Sequence, residues 1–209
     1  MQNNGKFIVF EGGEGTGKTT QIRALETRLK ALGRDVVLTW EPGGTPLGER
    51  IRAILLDPGS GAMSARCEAL LYSAARAEHV EKVIAPALAR GAIVLCDRYW
   101  DASRAYQGVA RGLGISAIDQ INIWATQGLF PDKVYLFDVD PEIGLSRAAA
   151  RQGGMKDRLE QESNRFHDQV RQAYLFIAKS YPQSYEVVDA TLPVEEISKH
   201  LWKSLESVL

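Results

Sequence analysis

Residues 12–19 read Gly12-Gly13-Glu14-Gly15-Thr16-Gly17-Lys18-Thr19, and this stretch decides the fold. It matches the pattern G-x-x-x-x-G-K-[ST], in which glycines let the backbone turn so that successive N–H groups and the start of a helix converge on phosphate oxygens. In this pattern Lys18 reaches the β- and γ-phosphates of ATP, and the Thr19 hydroxyl helps to hold Mg²⁺. We therefore predict a phosphate-binding loop in which residues 12–19 and Thr20 contact ATP.

The sequence around this loop alternates short apolar runs with longer amphipathic stretches. The runs predicted to be strands are Phe7–Glu11, Asp35–Thr39, Ile93–Asp97, Lys133–Val139 and Tyr185–Val188. After the loop, apolar residues recur at helical spacing and end at a glycine suited to a helix end: Ile22, Leu25, Leu29, Leu32 and Gly33. Alternating strands and helices favour a three-layer α/β fold of the P-loop NTPase type, with a five-stranded parallel sheet flanked by helices.

Composition excludes several classes of protein. The chain has 209 residues, 45% of them apolar, and no linker or repeat, so we expect one domain over residues 1–209. A net charge of −1 argues against binding a nucleic acid polymer or an acidic membrane surface. Cys67 and Cys96 lack metal-ligand spacing, and no long apolar segment is present, so a cytoplasmic protein is expected.

Asp97 and Arg98 form a second candidate element of the site. Asp97 ends the apolar run Ile93–Asp97, and open α/β sheets bind ligands at the carboxyl ends of their strands. A carboxylate there can hold Mg²⁺ or accept a proton, and the planar guanidinium of Arg98 can bridge two phosphates. An acid after a strand is otherwise an ordinary loop residue, and only the phosphate-binding loop favours the catalytic interpretation.

Five stretches, in order along nearly the whole chain, resemble thymidylate kinases of the bacterial type. They are Phe10-Glu11-Gly12 to Thr20, Glu41-Pro42-Gly43-Gly44-Thr45, Leu70-Leu71-Tyr72-Ser73-Ala74-Ala75-Arg76, Asp97-Arg98-Tyr99 to Tyr106-Gln107-Gly108, and Asp157-Arg158-Leu159-Glu160-Gln161-Glu162. The GTPase patterns N-K-x-D and D-x-x-G are absent. The resemblance implies transfer of the γ-phosphoryl group of ATP to dTMP with Mg²⁺, by a homodimer.

The same resemblance assigns residues to the thymine base. It implies that Tyr72 stacks on the thymine and that Arg76, one helical turn later, faces its O4 atom. Ser103 and Tyr106 match positions at the base and the sugar, and Gln107 is a weaker candidate. The alternative for Tyr72 is plain core packing on an apolar helix face.

The resemblance also assigns residues to phosphate and sugar. Arg52 and Arg98 match donors that hold the dTMP phosphate, although Arg52 alone also fits a solvated helix face. Glu14, an acid inside an anion-binding loop, matches a residue that reaches the acceptor sugar or the metal shell. Thr19 and Asp97 are the predicted metal ligands.

A basic segment near residues 147–160 is predicted to be a lid. Some thymidylate kinases carry a basic residue directly after the acid of the loop, whereas this chain has Gly15 there. The charge is then expected from Arg147, Arg151 or Arg158, with Arg151 the first choice for a catalytic role beside Lys18, Asp97 and Arg98. Arg147 and Arg151 also fit a solvated helix face.

Two rival functions remain open at this point. One is a kinase for another nucleoside monophosphate, against which Arg76 and Tyr106 argue. The other is a P-loop nucleotide-binding regulatory protein without turnover, which the intact set of Lys18, Thr19 and Asp97 disfavours.

Overall fold

The five predicted strands form one parallel sheet. In a computed structural model, which describes residues 5–151 and 156–209 and leaves out the Arg151 side chain, the strands are Lys6–Gly12 (β1), Val36–Trp40 (β2), Ile93–Asp97 (β3), Lys133–Asp138 (β4) and Tyr185–Asp189 (β5). Their order is β2-β3-β1-β4-β5, and every pairing is parallel. The predicted α/β fold is therefore confirmed. Each strand begins and ends within one residue of its predicted boundary.

Helices cover both faces of the sheet. They are Lys18–Ala31 (α1), Pro46–Leu56 (α2), Ala65–His79 (α3), Ala85–Ala89 (α4), Trp100–Ser103 (α5), Ile115–Thr126 (α6), Pro141–Arg151 (α7), Asn164–Ser180 (α8) and Val194–Glu206 (α9). In addition, π-helical turns span Val80–Ile84 and Arg104–Ala110. No helix within the described ranges has the length and apolar character needed to cross a bilayer.

Strand β1 shows how the layers are joined. Its side chains alternate between the two faces, so Ile8 and Phe10 pack with α1 and α9, while Phe7 and Val9 pack on the opposite face near α4 and α5. All four side chains are buried, as expected for a central parallel strand. Because these strands are parallel, the carboxyl ends of β1, β2 and β3 lie at the same edge of the sheet.

The chain changes helix type between α3 and α4. A π-helical turn leads from α3 into α4, and Pro86 lies in the first turn of α4. A proline is tolerated there because the first N–H groups of a helix have no partner within it.

Candidate active site

The phosphate-binding loop runs from the end of β1 into α1. Gly17 precedes the helix in a left-handed conformation, with φ of 89°, so that the helix begins at Lys18. Gly15 is also left-handed, and a Cβ atom there would overlap the carbonyl oxygen of Gly144 in α7. Helix α7 therefore packs directly against the loop, which explains why this position carries glycine rather than a basic side chain.

Lys18 lies along the inner side of the loop. Its Nζ atom donates to the carbonyl oxygens of Gly12 and Gly13, at 3.1 and 2.9 Å, and to Oγ1 of Thr16 at 3.2 Å. Burial, together with the nearby charge of Arg98, lowers the pKa of Lys18 to about 8. An incoming phosphate would raise the pKa of Lys18 again and favour its charged form.

Thr19 and Asp97 meet in front of the loop, as the sequence predicts. The Thr19 hydroxyl donates to Oδ2 of Asp97 across 3.0 Å, at a solvent-accessible point of the site. Both groups are oxygen donors, which is the chemistry that Mg²⁺ selects, usually with one or two carboxylates and substrate phosphates. The pair therefore fits a magnesium ion shared with ATP.

Two cavities open on this edge of the sheet. The donor cavity encloses about 1300 Å³, part of it open solvent, and its walls include residues 14–20, Asp97 and Trp40. The acceptor cavity encloses about 520 Å³ and is walled by Tyr72, Tyr99, Ala102, Leu56, Leu159 and further polar residues. Four residues line both cavities: Glu14, Glu41, Arg52 and Arg98.

Arg98 lies at the junction of the cavities in an uncommon backbone conformation. Its φ is 70°, and its N–H donates to the carbonyl oxygen of Phe10 at 2.9 Å. Its guanidinium donates to Oε1 of Glu14 at 2.6 Å and to the Tyr174 hydroxyl at 3.3 Å, with the Tyr106 ring 5.5 Å away. Burial opposes ionisation of Glu14, but the charges of Arg98 and Lys18 outweigh it and lower the pKa of that carboxyl.

Arg76 is fixed beside the acceptor cavity by a buried network. It is only 1% exposed, and four of its five N–H donors bind described groups. The partners are Oε2 of Glu41 at 2.7 Å, the Ser103 hydroxyl at 3.1 Å, Oδ1 of Asn122 at 2.6 Å and the Tyr99 carbonyl at 3.0 Å. The other Glu41 oxygen lies 3.0 Å from His79, so one carboxylate joins two side chains of α3.

The remaining predicted acceptor residues lie around the same cavity. Tyr72, Tyr106, Gln107 and Arg52 line it, whereas Ser103 does not line it and instead accepts a hydrogen bond from Arg76. The Tyr106 hydroxyl donates to Glu14 at 3.2 Å. Tyr72 is 7% exposed, and its hydroxyl makes no hydrogen bond to a described residue, so its ring is the group that it offers to the cavity.

Comparison with known proteins agrees with this geometry. The family model described as "Thymidylate kinase" matches residues 10–201. Similar proteins named thymidylate kinase occur in Deinococcus radiodurans, 50% identical over 97% of both chains, and in Ectopseudomonas mendocina, 51% identical over 98% of this chain and 97% of the relative. A third, from Pelotomaculum thermopropionicum, is 49% identical over 98% of this chain and 94% of the relative. This chain belongs to the thymidylate kinase family.

The three arginines that the sequence predicts in a lid have different surroundings in this thymidylate kinase family member. Arg147 donates to the Ala190 carbonyl at 3.0 Å, in the turn after β5. Arg158 donates to the Leu55 carbonyl at 2.7 Å and pairs with Glu68 at 2.6 Å. The side chain of Arg151, the predicted catalytic arginine, and residues 152–155 lie outside the described part of the chain.

Sequence reasoning missed the acidic residues that hold the predicted ones. Glu11 and Glu41 lie in two of the stretches that resemble thymidylate kinases, and Glu68 lies outside them. The sequence predicts no function for any of the three. Glu68 is fully buried and accepts from Gln107 at 2.8 Å, while hydrogen bonds from Arg111 and Gln107 outweigh burial and lower the pKa of its carboxyl. A signal was available for Glu11, which interrupts the apolar run of β1, and for Glu41, which lies in the Gly- and Pro-rich turn. Glu68 lies on a helix that carries other charged residues, so no such signal marks it.

Proposed function

We propose that this protein transfers the γ-phosphoryl group of ATP to dTMP, forming ADP and dTDP. The observation that carries this proposal is the junction of the two cavities. A loop built for triphosphates opens on one side, an aromatic and arginine-lined cavity opens on the other, and Arg98 lines both. Phosphoryl transfer needs two anionic groups brought into line, and this arrangement provides for it.

The walls of the acceptor cavity favour a thymine nucleotide. The Tyr72 ring offers a stacking surface, and the N–H of Arg76 that binds no described group can donate to a carbonyl oxygen such as O4. Cytosine presents an amino group at that position, which would leave two donors facing each other. Tyr106 is placed against the sugar, and Arg52 with Arg98 holds the acceptor phosphate.

Catalysis in this proposal is positioning and charge stabilisation. An oxygen of the dTMP phosphate attacks the γ-phosphorus, and the bond from that phosphorus to the β,γ-bridging oxygen breaks as ADP leaves. Lys18 and Arg98 stabilise the charge on the transferring group, and Arg151 is proposed to join them from a lid over residues 147–160. The acceptor oxygen is already anionic, so no strong base is required.

Thr19 and Asp97 are proposed to hold Mg²⁺ together with the ATP phosphates. When bound, the ion neutralises charge on the β- and γ-phosphate oxygens. The Asp97 carboxylate supplies the negative charge that keeps the ion at the edge of the sheet. The first turn of α1 orients the Thr19 hydroxyl towards Asp97, so that both oxygens would hold the ion.

The test is ADP release by the purified protein with ATP and Mg²⁺, comparing dTMP with dUMP, dCMP, dGMP and AMP. We expect release that depends on the acceptor and is fastest with dTMP. Preference for another monophosphate would retain the kinase and contradict the assignment of Tyr72 and Arg76. ATP binding without turnover for every acceptor would favour a nucleotide-binding regulatory protein.

We also propose that the protein is a cytoplasmic homodimer. Large apolar side chains are exposed on three helices that pack side by side, namely Leu47 and Ile54 on α2, Leu70 on α3, and Ile123 and Trp124 on α6. Trp124 is 84% exposed, which favours coverage by a second copy. Sedimentation should show a dimer that Trp124→Glu dissociates and that the control Phe176→Glu, on α8, leaves intact.

The cytoplasmic location is supported by the cysteines. The free thiols of Cys67 and Cys96 fit a reducing compartment.

A further inference from the structure

Arg98 needs support that its own residue type does not provide. A left-handed conformation is unfavourable for a non-glycine residue, and such conformations persist where the surroundings enforce them. Arg98 and Gln127 are the non-glycine residues with positive φ in the described ranges. Arg98 thus combines a strained backbone with a side chain that lines both cavities.

Glu11 contacts this strained segment directly at Tyr99 and indirectly through Tyr174. By the alternation along β1 it lies on the same face as Phe7 and Val9, where it is fully buried. Its Oε1 atom accepts from the backbone N–H of Tyr99 at 2.9 Å, directly after Arg98. Its Oε2 atom accepts from the Tyr174 hydroxyl at 2.9 Å, and that hydroxyl accepts from Arg98 at 3.3 Å.

Burial of this carboxylate opposes folding. Glu11 forms no ion pair within 4.0 Å in the part of the chain that the structure describes. Burial disfavours the charged form of an unpaired acid, and burial, with the charge of Asp101 added, raises the pKa of Glu11 to about 7. An apolar residue would suit the interior better at this position, so the acid has to be explained by the groups that it orients.

We propose that Glu11 is a positioning residue for phosphoryl transfer, which holds the backbone of Arg98 through Tyr99 and its guanidinium through Tyr174. This inference rests on the proposed function. Glu11 does not touch either substrate. Its effect on turnover is therefore transmitted through Arg98 and should disappear when the Arg98 side chain is removed.

A double-mutant cycle tests this directly, with wild type, Glu11→Gln, Arg98→Ala and the double variant. Glutamine keeps the shape of the side chain, but its amide nitrogen cannot accept a hydrogen bond, so one of the two bonds of Glu11 is lost. We expect Glu11→Gln to lower kcat by roughly 10- to 100-fold, as for a misplaced catalytic group, with KM for ATP changed less than about 2-fold. In the Arg98→Ala background the same change should cost less than about 2-fold. Equal losses in both backgrounds would overturn the proposal.

Tyr174→Phe provides a second test in case Glu11→Gln does not fold. It removes only the link to the guanidinium, so we expect a loss of about 3- to 10-fold in kcat, which again disappears in the Arg98→Ala background. Tyr135→Phe is the matched control, since Tyr135 is also a buried tyrosine but lies in β4, where its hydroxyl bonds to Ser204 of α9. A loss in the control as large as that in Tyr174→Phe would overturn the proposal.

The wild-type protein separates this inference from the proposed function. If it phosphorylates another monophosphate, the proposed acceptor is wrong, and the cycle is run with that monophosphate. If it turns over none, crystal structures of wild type and Glu11→Gln decide the inference. Displacement of the Arg98 guanidinium from Glu14 in the variant would support it, and an unchanged Arg98 would overturn it.

Discussion

The donor and acceptor cavities are adjacent but built in different ways. The donor cavity is built around one continuous stretch, residues 14–20, which belongs to a loop whose lysine is held by the loop's own carbonyl groups. The acceptor cavity is assembled from residues between Glu14 and Leu159, which buried side-chain bonds such as that of Arg76 with Glu41 hold in place. One site depends on local backbone geometry and the other on long-range side-chain contacts.

This difference predicts how each site fails. In the donor cavity, a change of one side chain should remove a function and leave the fold intact, because the backbone carries the geometry. In the acceptor cavity, a change within the network should destabilise the protein as well, because buried polar groups lose their partners. The following experiments address that contrast.

The largest effect is expected for Lys18→Met. Loss of a cation that stabilises the transferring phosphoryl group should lower kcat by about 10³-fold. The affinity for dTMP, measured by calorimetry, and the thermal midpoint should change little. A parallel loss of dTMP affinity would show that the two cavities are not separable.

Glu41→Gln should affect the stability of the whole protein. It leaves the buried guanidinium of Arg76 without its carboxylate, which typically costs about 3 kcal/mol or more of unfolding free energy. The matched control is Glu81→Gln, whose pair with Lys82 is more than half exposed and should contribute little to stability. Denaturant unfolding measures both, and similar losses in the two variants would contradict the role given to the network.

Tyr72 separates ring stacking from hydroxyl chemistry. Tyr72→Ala removes the stacking surface and should raise KM for dTMP by roughly 10-fold or more, since stacking on a base contributes about 1–3 kcal/mol. Tyr72→Phe keeps the ring, and its KM should stay within about 2-fold of wild type because the hydroxyl binds no described residue. A large effect in Tyr72→Phe would show that the hydroxyl contacts the substrate.

The smallest effect is a proton taken up when ATP binds. The pKa of Lys18 is lowered to about 8, so above that pH the free protein holds Lys18 mostly neutral, and bound phosphates favour its charged form. At about pH 8.5 we expect uptake of roughly 0.7 proton, and weaker ATP binding as the pH rises further. Calorimetry in two buffers of different ionisation enthalpy measures this uptake, which Lys18→Met should abolish.

The fold and the donor cavity could be predicted from sequence because both follow from local patterns. Strand alternation, helical spacing and the glycines of residues 12–19 each express backbone geometry within a short stretch. The acceptor cavity could not be predicted in the same way, because no local pattern shows that Glu41 meets Arg76 across 35 positions. Resemblance nominated Tyr72 and Arg76 but gave no role to Glu11, Asn122 or His79, which contact their partners only in the folded chain.

The central claim is transfer of phosphate between the two cavities, and product identification tests it most directly. The wild-type protein would be incubated with Mg²⁺, dTMP and ATP labelled at the γ position, and the labelled products separated. We predict that the label appears in dTDP and depends on dTMP. Label found only as inorganic phosphate, or only in the product of another monophosphate, would contradict the account.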